Sequence, residues 1–236
     1  MSLPLIPGDG FVGLRPFRAD TAVPDSKEVG AHALLRERLS IRHYKAKQPD
    51  ESSLARIFAS VAQAPSAHNR QPWRFLLITD EGVKASLARA MGDRLAADRQ
   101  RDGDDEAAVA ADVARSFRRI TGTPVVVVVA LSMAEMHRYP DDKRSRAEWL
   151  MAAQSTAMAG QNLLLAAAAE GLAACWMCAP LFCESEVKRI LTLPEDWQVQ
   201  GLVTLGYAGR PAPARPRKPI GEFVFTAVPA GERQRA

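Results

Sequence analysis

Apolar residues recur three and four apart over two early stretches of the chain. Val29, Ala33 and Leu34 predict a weakly amphipathic helix over residues 28–39. Leu54, Ile57, Phe58 and Val61 predict a second, opened by the capping residues Asp50-Glu51-Ser52-Ser53 after Pro49 and stopped at Pro65. The period then changes. Phe75 to Ile78 is a short apolar run, which predicts a strand over 74–79, and Thr79-Asp80-Glu81-Gly82 opens a third helix bearing Val83, Leu87 and Met91. Residues 92–120 are charged and rich in Ala, with a break near Asp102-Gly103-Asp104-Asp105. They predict either a solvated helix pair or a mobile cover over a site. Val125 to Val129 is β-branched and apolar without alternation, as a central strand buried on both faces would be. After a loop over 136–142, residues 143–170 carry the longest helical pattern. Its many Ala and Gly residues predict a buried central helix packed closely against another backbone, at a subunit interface.

Gly171 suits the position just past that helix. Strands are predicted over 172–177, 199–207 and 223–225, with a short helix over 185–191 closed by Leu193-Pro194 and an extended, Pro- and Arg-rich stretch over 208–219. Residues 1–27 are rich in Pro and Gly and read as an extended arm, and 229–236 as a tail. The order of elements predicts one α+β domain over 28–228 with a central sheet.

Composition narrows the functions. Of the 236 residues, 47% are hydrophobic and 25% charged, ordinary for a soluble domain. No apolar run approaches membrane length and no secretory leader is read at the N-terminus, so a cytoplasmic protein without a membrane partner is expected. The net charge is +4, but Arg is dispersed and aromatics are only 6%, which argues against nucleic acid and leaves arginines for a small anion. Cys175, Cys178 and Cys183 are odd in number, which argues against a disulfide framework. Their spacing invites a metal, but His32, His43, His68 and His137 supply no partner pair. Cys175 and Cys178 lie in the apolar run 172–179, where Cys is a small core residue, so no metal is expected.

Three separated segments suit a single ligand. Arg38-Leu39-Ser40-Ile41-Arg42 places two cations around a hydroxyl, a pattern that can converge on phosphate. Ala64-Pro65-Ser66-Ala67-His68-Asn69-Arg70-Gln71-Pro72-Trp73 is a small, polar loop bracketed by prolines, suited to close backbone approach to a flat polar ligand. Arg215-Pro216-Arg217-Lys218-Pro219 is a stiffened basic strip. Glycine-rich nucleotide loops, nucleophile elbows and zincin motifs are missing, and no acid–base pair stands out. Binding groups without such a pair fit an enzyme whose cofactor carries the chemistry.

The set Arg38-x-Ser-x-Arg42, Ala64-Pro-Ser-x-x-Asn-x-Gln-Pro-Trp73, Gly171-Leu-x-x-Cys-Trp176 and Leu193-Pro-x-x-Trp197, in order between residues 34 and 225, resembles the FMN-dependent nitroreductase superfamily. Within it, Met136-His-Arg-Tyr-Pro-Asp141, Gln161-Asn-Leu-Leu164 and Leu193-Pro-Glu-Asp-Trp197 are most similar to the reductase-like C-terminal domain of the coenzyme F-420 γ-glutamyl ligase, although no ligase domain is present. The resemblance implies a central, mixed, mostly antiparallel sheet flanked by helices in an intertwined homodimer with two shared FMN sites. Arg38, Ser40 and Arg42 would bind the FMN phosphate and ribityl. Pro65, Ser66, Ala67 and Asn69 would line the flavin of the other subunit. Cys178, Ala179 and Pro180 would follow the isoalloxazine edge, and Arg215 and Arg217 would complete the phosphate site. Leu39 stands where a second Arg is common. The implied activity is an oxidoreductase passing hydride through flavin N5 from NAD(P)H to an aromatic, quinone or nitro acceptor, a deazaflavin precursor among them. No catalytic side chain is singled out. The alternatives are a flavin-binding storage or sensor protein and a metal protein using the three cysteines.

Overall fold

The run of five valines forms the middle of strand β3 (Val125–Ser132), all eight residues of which are buried. In this computed structural model, which describes residues 13–16, 30–210 and 212–228, β3 lies inside a four-stranded sheet of order β2-β3-β5-β4. Its neighbours are β2 (Trp73–Ile78) and β5 (Trp197–Gly206), and β4 (Ala173–Met177) forms the far edge. The expected mixed sheet is antiparallel between all its paired strands; among the described residues the single parallel contact is an isolated bridge, Ser40 to Ala174.

Alternation along β3 feeds two cores. Val125, Val127 and Val129 pack with Ile57 and Val61 of α2 (Glu51–Val61) and with Ala159, Leu163 and Ala167 of α5 (Asp142–Ala169). Val126 and Val128 pack on the opposite face with Leu87 and Met91 of α3 (Glu81–Arg101), Ile120 of α4 (Glu106–Thr121) and Val187 of α6 (Glu184–Leu191). Each fully buried valine contributes roughly 1.5–3 kcal/mol of hydrophobic stabilisation, which is why a strand with no polar face is the centre of the sheet.

The element boundaries follow local chemistry. Helix α1 (Gly30–Glu37) buries no residue within this chain. Asp50 caps α2, but its carboxylate accepts from Ser53 Oγ rather than from a backbone N–H. The third predicted helix and the charged stretch merge into α3 and α4, broken between residues 101 and 106. Gly103 there adopts φ +81°, and Asp105 caps α4 through the Ala108 N–H at 2.8 Å. Lys84 of α3 is buried and donates from Nζ to the Thr123 carbonyl at 2.7 Å, tying α3 to the start of β3; burial lowers its pKa.

Gly171 follows α5 at φ +71°, the left-handed conformation expected after a helix end. The small residues of α5 serve a different packing from the one expected at Gly160. A Cβ there would meet the Trp176 ring at 2.4 Å, and one at Gly201 of β5 would meet it at 2.9 Å, so the two glycines make room for an indole.

The chain divides into two compact units, residues 30–212 and residues 1–29 with 213–236. In the second unit β1 (Gly13–Pro16) pairs antiparallel with β6 (Phe225–Val228), and a 3-10 turn spans Ile220–Glu222. The strand expected over 223–225 thus begins at its last residue. Apart from β1, the extended arm expected over 1–27 lies outside the described residues, as does the tail 229–236.

Candidate flavin-binding site

The edge strand β4 organises the first group of predicted residues. The Ile41 N–H donates to the Ala174 carbonyl at 3.2 Å, which lays the Arg38–Arg42 segment along the start of β4. Tyr44 fastens the segment from below: its hydroxyl lies 2.5 Å from the Ile41 carbonyl and 2.7 Å from Thr204 Oγ1 of β5. Burial raises the Tyr44 pKa, so the phenol stays neutral. Arg38 is half-buried, and Ser40 and Arg42 are exposed.

Cys175, the residue after Ala174, is buried. Burial raises the thiol pKa, and Arg42, Arg119 and Arg38 all act against that rise. Arg119, near the end of α4, has its own pKa lowered first by burial and then by the charges of Arg42 and Arg115. Among the described residues neither Arg38, Arg42 nor Arg119 forms an ion pair, and the one hydrogen bond of these guanidiniums runs from Arg42 Nη1 to the Ser40 carbonyl at 3.4 Å. Two arginines flanking a hydroxyl, with no carboxylate partner, suit an anion. Phosphate fits this donor set.

Cys178, Ala179 and Pro180 follow β4 at its other end. A 3-10 turn spans Ala179–Phe182, closed by the Leu181 N–H to the Cys178 carbonyl at 3.0 Å. Four residues of extended chain separate Ala174 from Cys178, about 13 Å, so both groups lie along one sheet edge. Cys178 is exposed, which corrects its reading as a core residue; Cys175 and Cys183 are buried. Burial and the nearby Glu186 carboxylate push the Cys183 thiol up to about 11.

The loop before β2 is held stiffly. His68, Asn69 and Gln71 all adopt left-handed φ of 49–54°. Such strain persists only where contacts over-determine it. Ser66 Oγ accepts the Gln71 N–H at 3.1 Å, Gln71 Nε2 donates to Asn69 Oδ1 at 3.2 Å, and the Ala67 N–H donates to Ser155 Oγ of α5 at 3.2 Å. Arg70 Nη2 lies 3.3 Å from His137 Nε2. The His68 ring packs edge-on against His137. His68 and Arg70 thus hold the loop to the segment after β3.

Pro65, Ser66, Ala67 and Asn69 are not brought together with the β4 groups within one chain. They precede β2, at the opposite edge of the sheet, with β3 and β5 between, about 14 Å at ordinary strand spacing. Arg215 and Arg217 belong to the other unit, both exposed in the stretch before Ile220.

A cleft of about 150 Å³ opens between α3, α4 and the turn after β4. Met91, Leu95, Ala179 and Phe182 give it an apolar lining, and Arg94 and Asp98 stand at 2.8 Å from one another beside it. Among the described residues no group of three or more His, Cys, Asp or Glu is arranged to hold a metal, and no helix is long and apolar enough to cross a membrane.

The model of the nitroreductase family matches residues 35–207. The chain belongs to that family. Among curated relatives it is 28% identical over 205 residues to protein DrgA of Synechocystis, covering 80% of this chain and 91% of that protein. It is 24% identical to YfhC of Bacillus subtilis, named as an NAD(P)H nitroreductase, over 84% of this chain and 96% of that protein. A Desulfitobacterium hafniense nitroreductase solved with bound FMN superposes with a TM-score of 0.64 at 22% identity, over 81% of this chain and 95% of that one. Iodotyrosine deiodinase, solved with FMN and 3-iodo-L-tyrosine, gives 0.63 at 24% identity over 80% and 95%. These structures share the nitroreductase fold.

Proposed function

We propose that this nitroreductase family member is an FMN-dependent oxidoreductase that works as a homodimer. The observation that carries the reading is the uncompensated group of Arg38 and Arg42 around Ser40 at one end of β4, with Cys178, Ala179 and Pro180 at the other. Arg38 and Arg42 would grip the phosphate, Ser40 would add a hydroxyl, and the turn after β4 would face the ring. The rigid loop residues Pro65, Ser66, Ala67 and Asn69 sit on the opposite sheet edge, so a second copy would carry them to the flavin. FMN in that position supplies two-electron transfer between a nicotinamide and an acceptor. The FMN-bound neighbours and the NAD(P)H nitroreductase name among the relatives support the cofactor and the donor.

The acceptor is an aromatic, quinone or nitro compound, and the apolar cleft beside Ala179 suits such a ring. The residues that resemble the deazaflavin ligase domain make a deazaflavin precursor the acceptor to compare with a nitrofuran. The test is direct. Purified protein incubated with excess FMN should keep flavin absorbance after desalting, bleach anaerobically with NADH or NADPH, and regain colour when an acceptor is added. Colourless protein after desalting would overturn the reading.

A further inference from the structure

The cleft between α3, α4 and the turn after β4 specifies its guest by size and by charge. Its volume is about 150 Å³, and an apolar cavity of about that size takes a single benzene ring. Met91 and Leu95 of α3 form one wall, and Ala179 and Phe182 of the turn form another. Phe182 is 75% exposed, so a ring laid against it removes apolar surface of both partners from water. A fused three-ring system would leave most of its surface outside.

Arg94 and Asp98 are the charged residues on the wall, and both are already engaged. Arg94 Nε lies 2.8 Å from Asp98 Oδ2 and Arg94 Nη1 lies 3.3 Å from Glu186 Oε1, while Arg101 Nη1 lies 3.2 Å from Asp98 Oδ1. No cation on the wall is left for a carboxylate or phosphate on the guest. An anionic ring entering here would lose its water without gaining a counter-charge, beside two carboxylates, and that is costly.

We infer that this cleft is the acceptor pocket and that it selects uncharged, single-ring aromatics over anionic rings and over three-ring deazaflavins, with Leu95 and Phe182 as its specificity-determining residues. That the guest is the acceptor rests on the proposed function, through Ala179, which lines the cleft and stands at the proposed flavin edge. The selectivity rests on the cleft alone.

Ligand-detected NMR titration measures it on the whole protein, with oxidised FMN present and nicotinamide left out so that nothing turns over. Nitrobenzene should bind saturably and 4-nitrobenzoate about tenfold more weakly or worse, because its charge finds no partner. A three-ring deazaflavin should fail to displace nitrobenzene. Leu95→Trp fills the cleft and should weaken nitrobenzene about tenfold or more while leaving FMN within twofold. Phe182→Ala, at an exposed position that folding does not depend on, should weaken nitrobenzene about three- to tenfold, and it decides alone if Leu95→Trp does not fold. Equal affinity for nitrobenzene and 4-nitrobenzoate, displacement by the deazaflavin, or unchanged nitrobenzene binding in the folded variants would overturn the inference. Protein that keeps no FMN after desalting yet shows this ring selectivity would instead overturn the proposed function, and with it the guest's role as acceptor.

Discussion

Two arginine-rich regions of this molecule have opposite electrostatic fates. Along α3 and α4, Arg94 bonds Asp98 and Glu186, Arg99 bonds Asp104 and Asp112, and Arg115 bonds Asp112. That region neutralises itself. Beside β4, Arg38 and Arg42 flank Ser40 and neither forms an ion pair among the described residues. Counting arginines would rank the first region higher as an anion site, yet pairing shows it to be scaffold. The cysteines report the same contrast. Cys175 is buried among cations that offset its desolvation, whereas Cys183 is buried beside Glu186, which adds to it and takes the thiol to about 11.

The largest expected effect breaks the comparison most cleanly. Replacing Arg38 and Arg42 together by Ala should weaken FMN at least 100-fold, since each charge-assisted contact is worth roughly 1.5–3 kcal/mol. Arg99→Ala, in the self-paired region, should leave the dissociation constant within twofold. Equal losses from the two substitutions, read by equilibrium titration, would show that the distinction between paired and unpaired arginines has no functional content.

Next in size is an alkaline effect on the Cys183 side. Its folded pKa lies above that of an ordinary thiol, so the folded protein holds this proton more tightly than the unfolded chain. The contribution is fully present below about pH 9 and lost as pH rises toward about 11, on the order of 2–3 kcal/mol. Denaturant melts should show this decline, and Cys183→Ala should flatten that part of it. A decline of the same size in the variant would mean that other groups carry it.

Thiol labelling sharpens the contrast along the β4 edge itself. At pH 8 one cysteine per chain, the exposed Cys178, should react rapidly with iodoacetamide, while Cys175 and Cys183 stay protected by burial. Bound FMN should slow that reaction severalfold if the turn after β4 faces the ring. Mass spectrometry of the labelled peptides gives both answers.

The smallest effect is expected where charges are already satisfied. Asp112→Asn removes a half-buried acceptor from the α3–α4 network and should lower the melting temperature by only a degree or two, because ion pairs near the surface contribute about 0–1 kcal/mol each. A drop of ten degrees would make the network a structural element in its own right.

Much of this was legible in the sequence, for definite reasons. An unbroken β-branched run can only be buried on both faces, so Val125–Val129 announced the middle of the sheet. Helical spacing in 50–61 and the long Ala-rich pattern after residue 142 announced α2 and α5, and Gly171 announced the end of the latter through its left-handed φ. The local motifs around Ser40 and Asn69 carried the likeness to the family that the match over 35–207 then showed.

Other features depend on residues far apart in the chain. Exposure of Cys178 against burial of Cys175 turns on where β4 ends, and the antiparallel pairing of every strand turns on which neighbours meet. That the Arg38–Arg42 segment and the Pro65–Asn69 loop occupy opposite sheet edges follows from the strand order alone, which no local pattern encodes. The paired arginines are the sharpest case: in sequence Arg94 and Arg99 are cations in a charged helix, and only the fold brings them to Glu186 and Asp112. Periodicity fixes which residues are buried and where helices and strands run, because those are nearest-neighbour properties of the backbone. Whether a charge is paired or left waiting for a ligand is a long-range property, decided only when the helix, the edge strand and the loop are folded together.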